Sequence, residues 1–268
     1  MAEPVPETVR AWTPRIAGVR EVLHARFVRH AYPVHSHDAW TLFVVDEGAI
    51  AYELAGHHRH ATRAMVSVLP PHLAHDGRPA TPAGYRKRCV YVDRSILPER
   101  LLGAAVDQPW IVDPSLRVAV DALHNAFDSP DGPLEAETRL HIVAERIVRR
   151  LERGSEPSAP APRRAEIAEA VRAAFDEDLF GSPSIASVAS ALGVGASTAA
   201  RAFRAVFGLP PHAYVLGRRL EAARARVLAG QPLADVAVET GFVDQAHLTN
   251  RFRRLAGVTP GRFARSVP

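Results

Sequence analysis

Nine of the thirteen histidines fall within the first 75 residues, at positions 24, 30, 35, 37, 57, 58, 60, 72 and 75. Alternate positions on a strand face the same side, so His35 and His37 in His-Ser-His-Asp can turn their imidazoles toward one point. His75 ends the stretch Leu-Pro-Pro-His-Leu-Ala-His, residues 69–75, whose Pro-Pro turn can bring it beside them from a neighbouring strand. Three imidazoles suit Zn, Ni, Cu or Fe and leave a position open for water or a ligand. The same three can instead hydrogen-bond a small ligand in a metal-free pocket, or serve only the structure. Trp40, Phe43, Tyr52 and Tyr91 are the candidate pocket lining, with Tyr85 close in sequence, although most aromatics in a small barrel are core. His57, His58 and His60 form a separate cluster on a predicted turn and read as a solvated loop.

The chemistry at the other end is that of a surface meeting a polyanion. From Ser197 onward there are 11 arginines against 4 acidic residues, whereas residues 1–162 carry 19 basic and 20 acidic side chains. A near-neutral front joined to a basic tail points to nucleic acid at the tail. Arginine abundance itself says little, because Lys87 is the only lysine among 33 basic residues in both halves.

The tail also repeats itself. Val188-Ala189 recurs as Val236-Ala237 and Gly193 as Gly241, 48 residues on. Phe203-Arg204 recurs as Phe252-Arg253, Gly208-Leu209 as Gly257-Val258 and Pro211 as Pro260, 49 residues on. Each unit reads as a helix, a glycine turn and a second helix, which is a helix-turn-helix whose second helix can enter the DNA major groove. In the second unit Asp244 stands at the N-cap position, and Leu248, Phe252 and Leu255 share a buried face. Gln245, Ala246, Thr249, Asn250 and Arg253 lie opposite. Glutamine and asparagine pair bidentately with adenine, and arginine with guanine or phosphate. The outward face of the first unit is Ser197, Ala200, Arg201 and Arg204. Base or near-base contacts are assigned to Arg201, Arg204, Gln245 and Asn250. Arg218, Arg219, Arg251, Arg253, Arg254 and Arg262 are read as phosphate contacts or solvated charges.

The elements that must position these residues divide in two. Short apolar runs at Trp40–Val45, Ile50/Tyr52/Leu54, Met65–Leu69 and Cys89–Val92, within about residues 26–93, predict a small sandwich or barrel. Over 134–152, Ala136, Leu140, Val143, Ile147 and Leu151 share one helical stripe that can pack on the barrel or face a twin. Residues 153–164, RGSEPSAPAPRR, read as a linker without a regular element. Beyond it come helices over Glu166–Leu179, from Ser184 with Ile185, Val188, Ala189 and Leu192 inward to Gly193, and over Pro211–Gly230. The expected fold is therefore α+β with two domains: a small β-barrel over 1–112, a helical segment over 113–152 as a candidate dimerisation element, the linker 153–164, and an all-α domain over 165–268 with two helix-turn-helix units. One cysteine, Cys89, excludes an internal disulfide framework and a Cys-rich zinc site. No apolar run approaches a membrane span, and the N-terminus lacks a signal core, so a cytoplasmic protein is expected.

The segment Asp235–Phe263, DVAVETGFVDQAHLTNRFRRLAGVTPGRF, resembles the second helix-turn-helix of AraC/XylS-type transcriptional regulators, and Arg218–Gly230 is similar to the helix linking their two motifs. The resemblance covers about the last 90 residues. The first unit departs from the pattern: Gly195 stands in place of a Ser or Asp cap, and Ala199, Ala200 and Ala202 in place of larger residues. Residues 20–95, with His35-Ser-His37-Asp and Leu69-Pro-Pro-His72-Leu-Ala-His75, resemble the two half-motifs of a cupin barrel, a fold common at the front of such regulators. The glutamate that metal-binding cupins place after the histidine pair is missing from Ala39-Trp40-Thr41-Leu42. The resemblance implies a DNA-binding regulator modulated by a small-molecule or metal effector, two recognition helices in successive major grooves, double-stranded DNA as partner, a homodimer, and RNA polymerase as partner if it activates. Two other readings remain: a metal-dependent cupin enzyme with an attached helical domain, and a constitutive DNA-binding protein whose barrel only dimerises. The repeated motif favours the regulator over an enzyme.

Overall fold

The N-terminal half is built from strands covered on both faces, which is why many of them lack a simple apolar-polar alternation. The computed structural model describes residues 7–128, 133–153, 162–181 and 184–264. Its strands are β1 (Thr8–Trp12), β2 (Val19–Phe27), β3 (Tyr32–His35), β4 (Trp40–Gly48), β5 (Ile50–Leu54), β6 (His57–Ala61), β7 (Val66–Leu69), β8 (His75–Pro79), β9 (Tyr85–Val92) and β10 (Trp110–Ile111). One sheet has the order β1-β2-β9-β4-β7-β10 and the other β3-β8-β5-β6, with antiparallel pairing. The four strands expected from the apolar runs are present as β4, β5, β7 and β9. β1 and most of β2 lie ahead of the expected region. In β2, Val22 and Leu23 are adjacent and both buried, which erases the period of two.

β4 shows the two-faced logic and corrects one expectation. Trp40, Leu42 and Val44 point to the outer, helix-covered core, whereas Phe43 and Val45 point into the barrel. Trp40 is therefore not a pocket residue: alternation along the strand places it opposite Phe43. His57, His58 and His60 lie on strand β6, paired with β5, and the turn is Ala55-Gly56. All three histidines are exposed, as expected of a solvated cluster.

A short 3-10 turn (Glu99–Leu101) leads into α1 (Leu102–Asp107), α2 (Pro114–Phe127) and α3 (Pro133–Glu152). Ala136, Leu140, Val143, Ile147 and Leu151 of α3 are all buried within this chain, the larger four packed with Val22, Trp40 and Val90. Barrel packing thus consumes the stripe that could have faced a twin. Asp113 caps α2, accepting from the backbone N–H of Ser115 at 2.9 Å and of Leu116 at 3.2 Å. Arg88 and Arg117 both donate to Asp46 Oδ1 at 2.7 Å, tying α2 to the sheet.

Beside that cluster His24 and His124 share a hydrogen bond of 3.2 Å between Nε2 and Nδ1. Burial pushes His24 down to about 4 and His124 well below its ordinary value. Both are neutral when folded, whereas the unfolded chain takes up protons below about pH 6.5. Stability is therefore full above that pH and falls as pH drops toward 4, by up to about 1.4 kcal/mol per unit for each ring. His124→Asn should reduce the stability lost between pH 7 and pH 5, by up to about 2 kcal/mol. Urea midpoints at the two pH values measure it; an unchanged loss would refute the assignment.

The C-terminal half comprises α4 (Pro162–Glu177), α5 (Ile185–Ala191), α6 (Ala196–Phe207), α7 (Pro211–Leu228), α8 (Leu233–Glu239), α9 (Gln245–Ala256) and α10 (Pro260–Ala264). Of the expected linker, residues 154–161 lie outside the described residues, and Pro162–Arg164 are the first turn of α4. Proline is suited to a helix start because its missing N–H is one that would have no intrahelical partner. Leu192, expected inward, is exposed as the C-cap of α5, where the chain turns out through Gly193. Phe175, Phe203, Phe207 and Tyr214 form the core around the first unit. The core of the second unit runs into the barrel interior, joining Leu220, Leu255 and Phe263 to Phe27, Tyr85 and Tyr91.

Candidate functional site in the barrel and the paired helices

The sequence repeat is a structural repeat. In the first unit Val194 donates its N–H to Ala189 O at 3.0 Å, and 48 residues on Phe242 donates to Ala237 O at 2.8 Å. Gly193 and Gly241 occupy the left-handed region at φ 65° and 75°, which reverses the chain between α5 and α6 and between α8 and α9. The extra residue falls in the turn before α9, between Gly241 and the cap Asp244. That carboxylate accepts from His247 N–H at 2.7 Å, whereas Gly195 offers α6 no side-chain cap. Asp244→Ala should cost about 1 kcal/mol, read as a lowered denaturant midpoint, while Gly195→Asp should add stability at the start of α6.

Gln245, Ala246, Asn250, Arg253 and Arg254 on α9 are exposed and Thr249 half-buried, opposite buried Leu248, Phe252 and Leu255. On α6, Ser197, Arg201 and Arg204 are exposed and Ala200 is half-buried. Arg163 and Arg164 from α4 join Arg201 and Arg204 around one concave basic surface. The linker reading hid that contribution. Two arginines leave the expected DNA set. Arg218 pairs with Asp38 at 2.9 Å, Glu221 at 3.0 Å and Asp176 at 3.2 Å. Arg219 donates to the carbonyls of Leu179 and Gly241 at 2.8 Å, bracing the second turn. Arg262 donates to Glu7 O at 2.9 Å, and Arg251 leans on His247.

Inside the barrel the structure brings His35, His37 and His75 together, all buried, with their ligand nitrogens within 4.8 Å of one another. β3 supplies His35, the turn after it His37, and β8 His75, paired directly with His35. Each Nδ1 is held by an oxygen: Pro33 O at 2.7 Å for His35, Glu221 Oε1 at 3.0 Å for His37, and Leu73 O at 3.1 Å for His75. Those acceptors fix the proton on Nδ1 and leave Nε2 as the lone-pair atom. Among the described residues nothing hydrogen-bonds to any of the three Nε2 atoms. Burial is the main reason that all three rings have depressed pKa values, His75 to about 4, so they are neutral near pH 7. Neutral imidazoles with oriented second nitrogens are the form in which histidine binds a metal, and the donor set fits one.

Phe43, Tyr52 and Tyr91 line the cavity, as do Tyr32, Tyr85, Lys87 and Arg224. Lys87 Nζ sits 4.3 Å from the centre of the Tyr32 ring. The cavity holds only about 40 Å³, room for an ion with its water but far below the roughly 300–1,000 Å³ of an organic ligand pocket.

The wall of this cavity is also the domain interface. Glu221, on α7, accepts from His37 and, at 3.0 Å, from the backbone N–H of Asp38. Arg224, buried, pairs with buried Glu21 on β2, and Tyr214 meets His72 at 3.4 Å. Sequence reasoning missed Glu21, Glu221 and Arg224 because each pairs across the interface with a residue more than 180 positions away.

Known proteins divide the chain at the same place. Residues 18–143 match the model of the AraC-like ligand binding domain, and residues 188–266 that of a helix-turn-helix domain. The chain belongs to the AraC family. Among AraC-type relatives, the probable transcriptional regulator LumQ of Photobacterium leiognathi is 36% identical over 81 residues, 30% of this chain and 33% of that protein. The virulence regulon transcriptional activator VirF of Yersinia enterocolitica is 33% identical over 79 residues, 29% of each chain. The chain thus spans about a third of the length of the curated relatives it matches. Over the whole length, ToxT from Vibrio cholerae has the same fold, with a TM-score of 0.62 at 10% identity and 97% of each chain covered. A ToxT structure with bound unsaturated fatty acid gives a TM-score of 0.57 at 11% identity, covering 98% of this chain and 97% of that one. Among the described residues no helix is long and apolar enough to cross a membrane.

Proposed function

We propose that this AraC-family chain is a sequence-specific DNA-binding transcriptional regulator whose DNA binding is modulated by an effector held in the N-terminal barrel. The observation that carries the reading is the duplicated helix-turn-helix, with two exposed polar recognition faces, joined by α7 to a barrel that encloses a site of its own. Double-stranded DNA is the partner. Gln245, Asn250, Arg201 and Arg204 contact bases or their immediate surroundings, with Ser197, Ala246, Thr249, Arg253 and Arg254 completing the face. The protein acts in the cytoplasm and is not an enzyme. The duplicated helix-turn-helix, for which an enzyme has no use, supports that last point. A homodimer formed by a surface other than the buried α3 stripe, and RNA polymerase as a partner if the protein activates, complete the proposal.

The test is a footprint on the DNA upstream of its own gene, repeated across a salt series. Protection of two sites about one helical turn apart on one face is expected, weakening steeply with salt as phosphate contacts release counterions. Absence of binding at low salt, where that attraction is strongest, would end the proposal.

A further inference from the structure

Besides the contacts of Arg224 with Glu21 and of Arg262 with Glu7, the barrel touches the DNA-binding half at three places on the segments that carry the cavity histidines. Next to His75, Ala74 donates its N–H to Phe207 O at 3.0 Å, at the C-terminal end of α6. The cap glycine Gly208 is packed so closely there that a Cβ on it would lie 3.0 Å from that of Ala74. Ahead of β3, the strand that ends in His35, the turn after β2 meets the C-terminal end of α9. There His30 Nε2 lies 3.4 Å from Leu255 O, and a Cβ on Gly257 would come within 2.7 Å of Phe27. His37 itself reaches α7, the helix between the two units, through Glu221. The barrel therefore grips the ends of both recognition helices and the rod that separates them.

We propose that His35, His37 and His75 bind one divalent transition metal ion through Nε2, and that the ion sets the spacing of α6 and α9 by tying these gripping segments together. The inference rests on the regulator reading above and names the effector of its barrel site. Three observations favour an ion: oriented lone pairs without a partner, a cavity of ion-and-water size, and Nδ1 protons held by oxygens in the arrangement that supports metal-bound histidine. Lys87 and Arg224 line the same cavity. Arg224 is matched by Glu21, and an anion in the ion's open position would answer Lys87. Glu221 is the reporter: an ion on Nε2 of His37 makes its Nδ1–H a stronger donor, which tightens the bond to α7. By linkage, docking of α7 must strengthen ion binding to the same degree.

The test uses the untagged full chain with His57, His58 and His60 replaced by Gln, so that the exposed histidines do not compete. It is stripped with chelator and titrated with Zn²⁺ and, separately, Ni²⁺, while stoichiometry is read by elemental analysis and affinity by calorimetry. One ion per chain is expected, lost in His35→Ala and His75→Ala, with circular dichroism verifying that the variants fold. Glu221→Gln, outside the ligand set, should keep the stoichiometry and lose about 10- to 100-fold in affinity. DNA from in vitro selection then separates the two parts of the idea. The ion should change affinity for a two-site duplex at least tenfold and leave a duplex bearing only the α9 half-site unchanged, and Glu221→Gln should abolish the difference. No stoichiometric ion in the parent chain overturns the site while leaving DNA binding intact. A bound ion that changes both duplexes equally, or neither, overturns the spacing mechanism. Failure of every form to bind DNA sinks the regulator reading instead, and the stoichiometry still judges the metal site.

Discussion

Arg224→Met should destabilise the docked chain by about 3–5 kcal/mol, because it leaves Glu21 buried and uncompensated. The pair joins β2 to α7, and both side chains are nearly inaccessible, at 11% exposure for Glu21 and 8% for Arg224. Burial already pushes the Glu21 carboxyl up, against the pull of Arg224. Without the guanidinium that carboxyl rises further and takes a proton, so the loss should shrink as pH falls. Glu21→Gln combined with Arg224→Met should recover much of it, since replacing both partners of a buried pair is often close to neutral. The contrast between the single and the double variant is the measurement, taken from denaturant midpoints and from protease cleavage between the domains. A single variant as stable as its parent would mean that the interface does not depend on this pair. The same experiment reports on effector control, because Arg224 also lines the histidine cavity.

How much of this was legible in the sequence follows from the range of each interaction. The helix-turn-helix units were readable because their determinants are local: a left-handed glycine, a cap three residues before the N–H it satisfies, and apolar residues at helical spacing. The convergence of His35 and His37 followed from strand alternation, and His75 from the turn before it. Trp40 failed because reading it as a pocket residue required knowing which face of β4 looks inward, and that parity is set by the helices packed outside. Arg218 and Arg219 failed differently. Their positions on an Arg-rich helix resembled a DNA-facing surface, yet their partners are Asp38 and Asp176 for one and backbone carbonyls for the other. A charge whose partner is remote in sequence cannot be told from a free one by counting. The linker erred at one end for a local reason, since Pro162 that looks like a helix breaker is a helix starter.

The two recognition helices should not contribute equally to sequence preference. α9 is capped by Asp244 and presents Gln245, Thr249 and Asn250, whose amides and hydroxyl can discriminate bases. α6 has no side-chain cap and presents Ser197, Arg201 and Arg204, next to Arg163 and Arg164. That basic surface suits phosphates, and phosphate contacts position a protein without specifying sequence. In a binding-site selection the half-site under α9 should therefore carry most of the information. Asn250→Ala and Gln245→Ala should each cost about 1–3 kcal/mol on the preferred site and relax the preference at one position. Arg254→Ala should weaken all sequences alike and lower the salt slope by about one. Replacing Arg163 and Arg164 together should lower that slope by about two, with the selected motif unchanged. If the Asn250 variant selects the parental motif, α9 does not read bases through that face, and the specificity must come from α6 or from DNA shape.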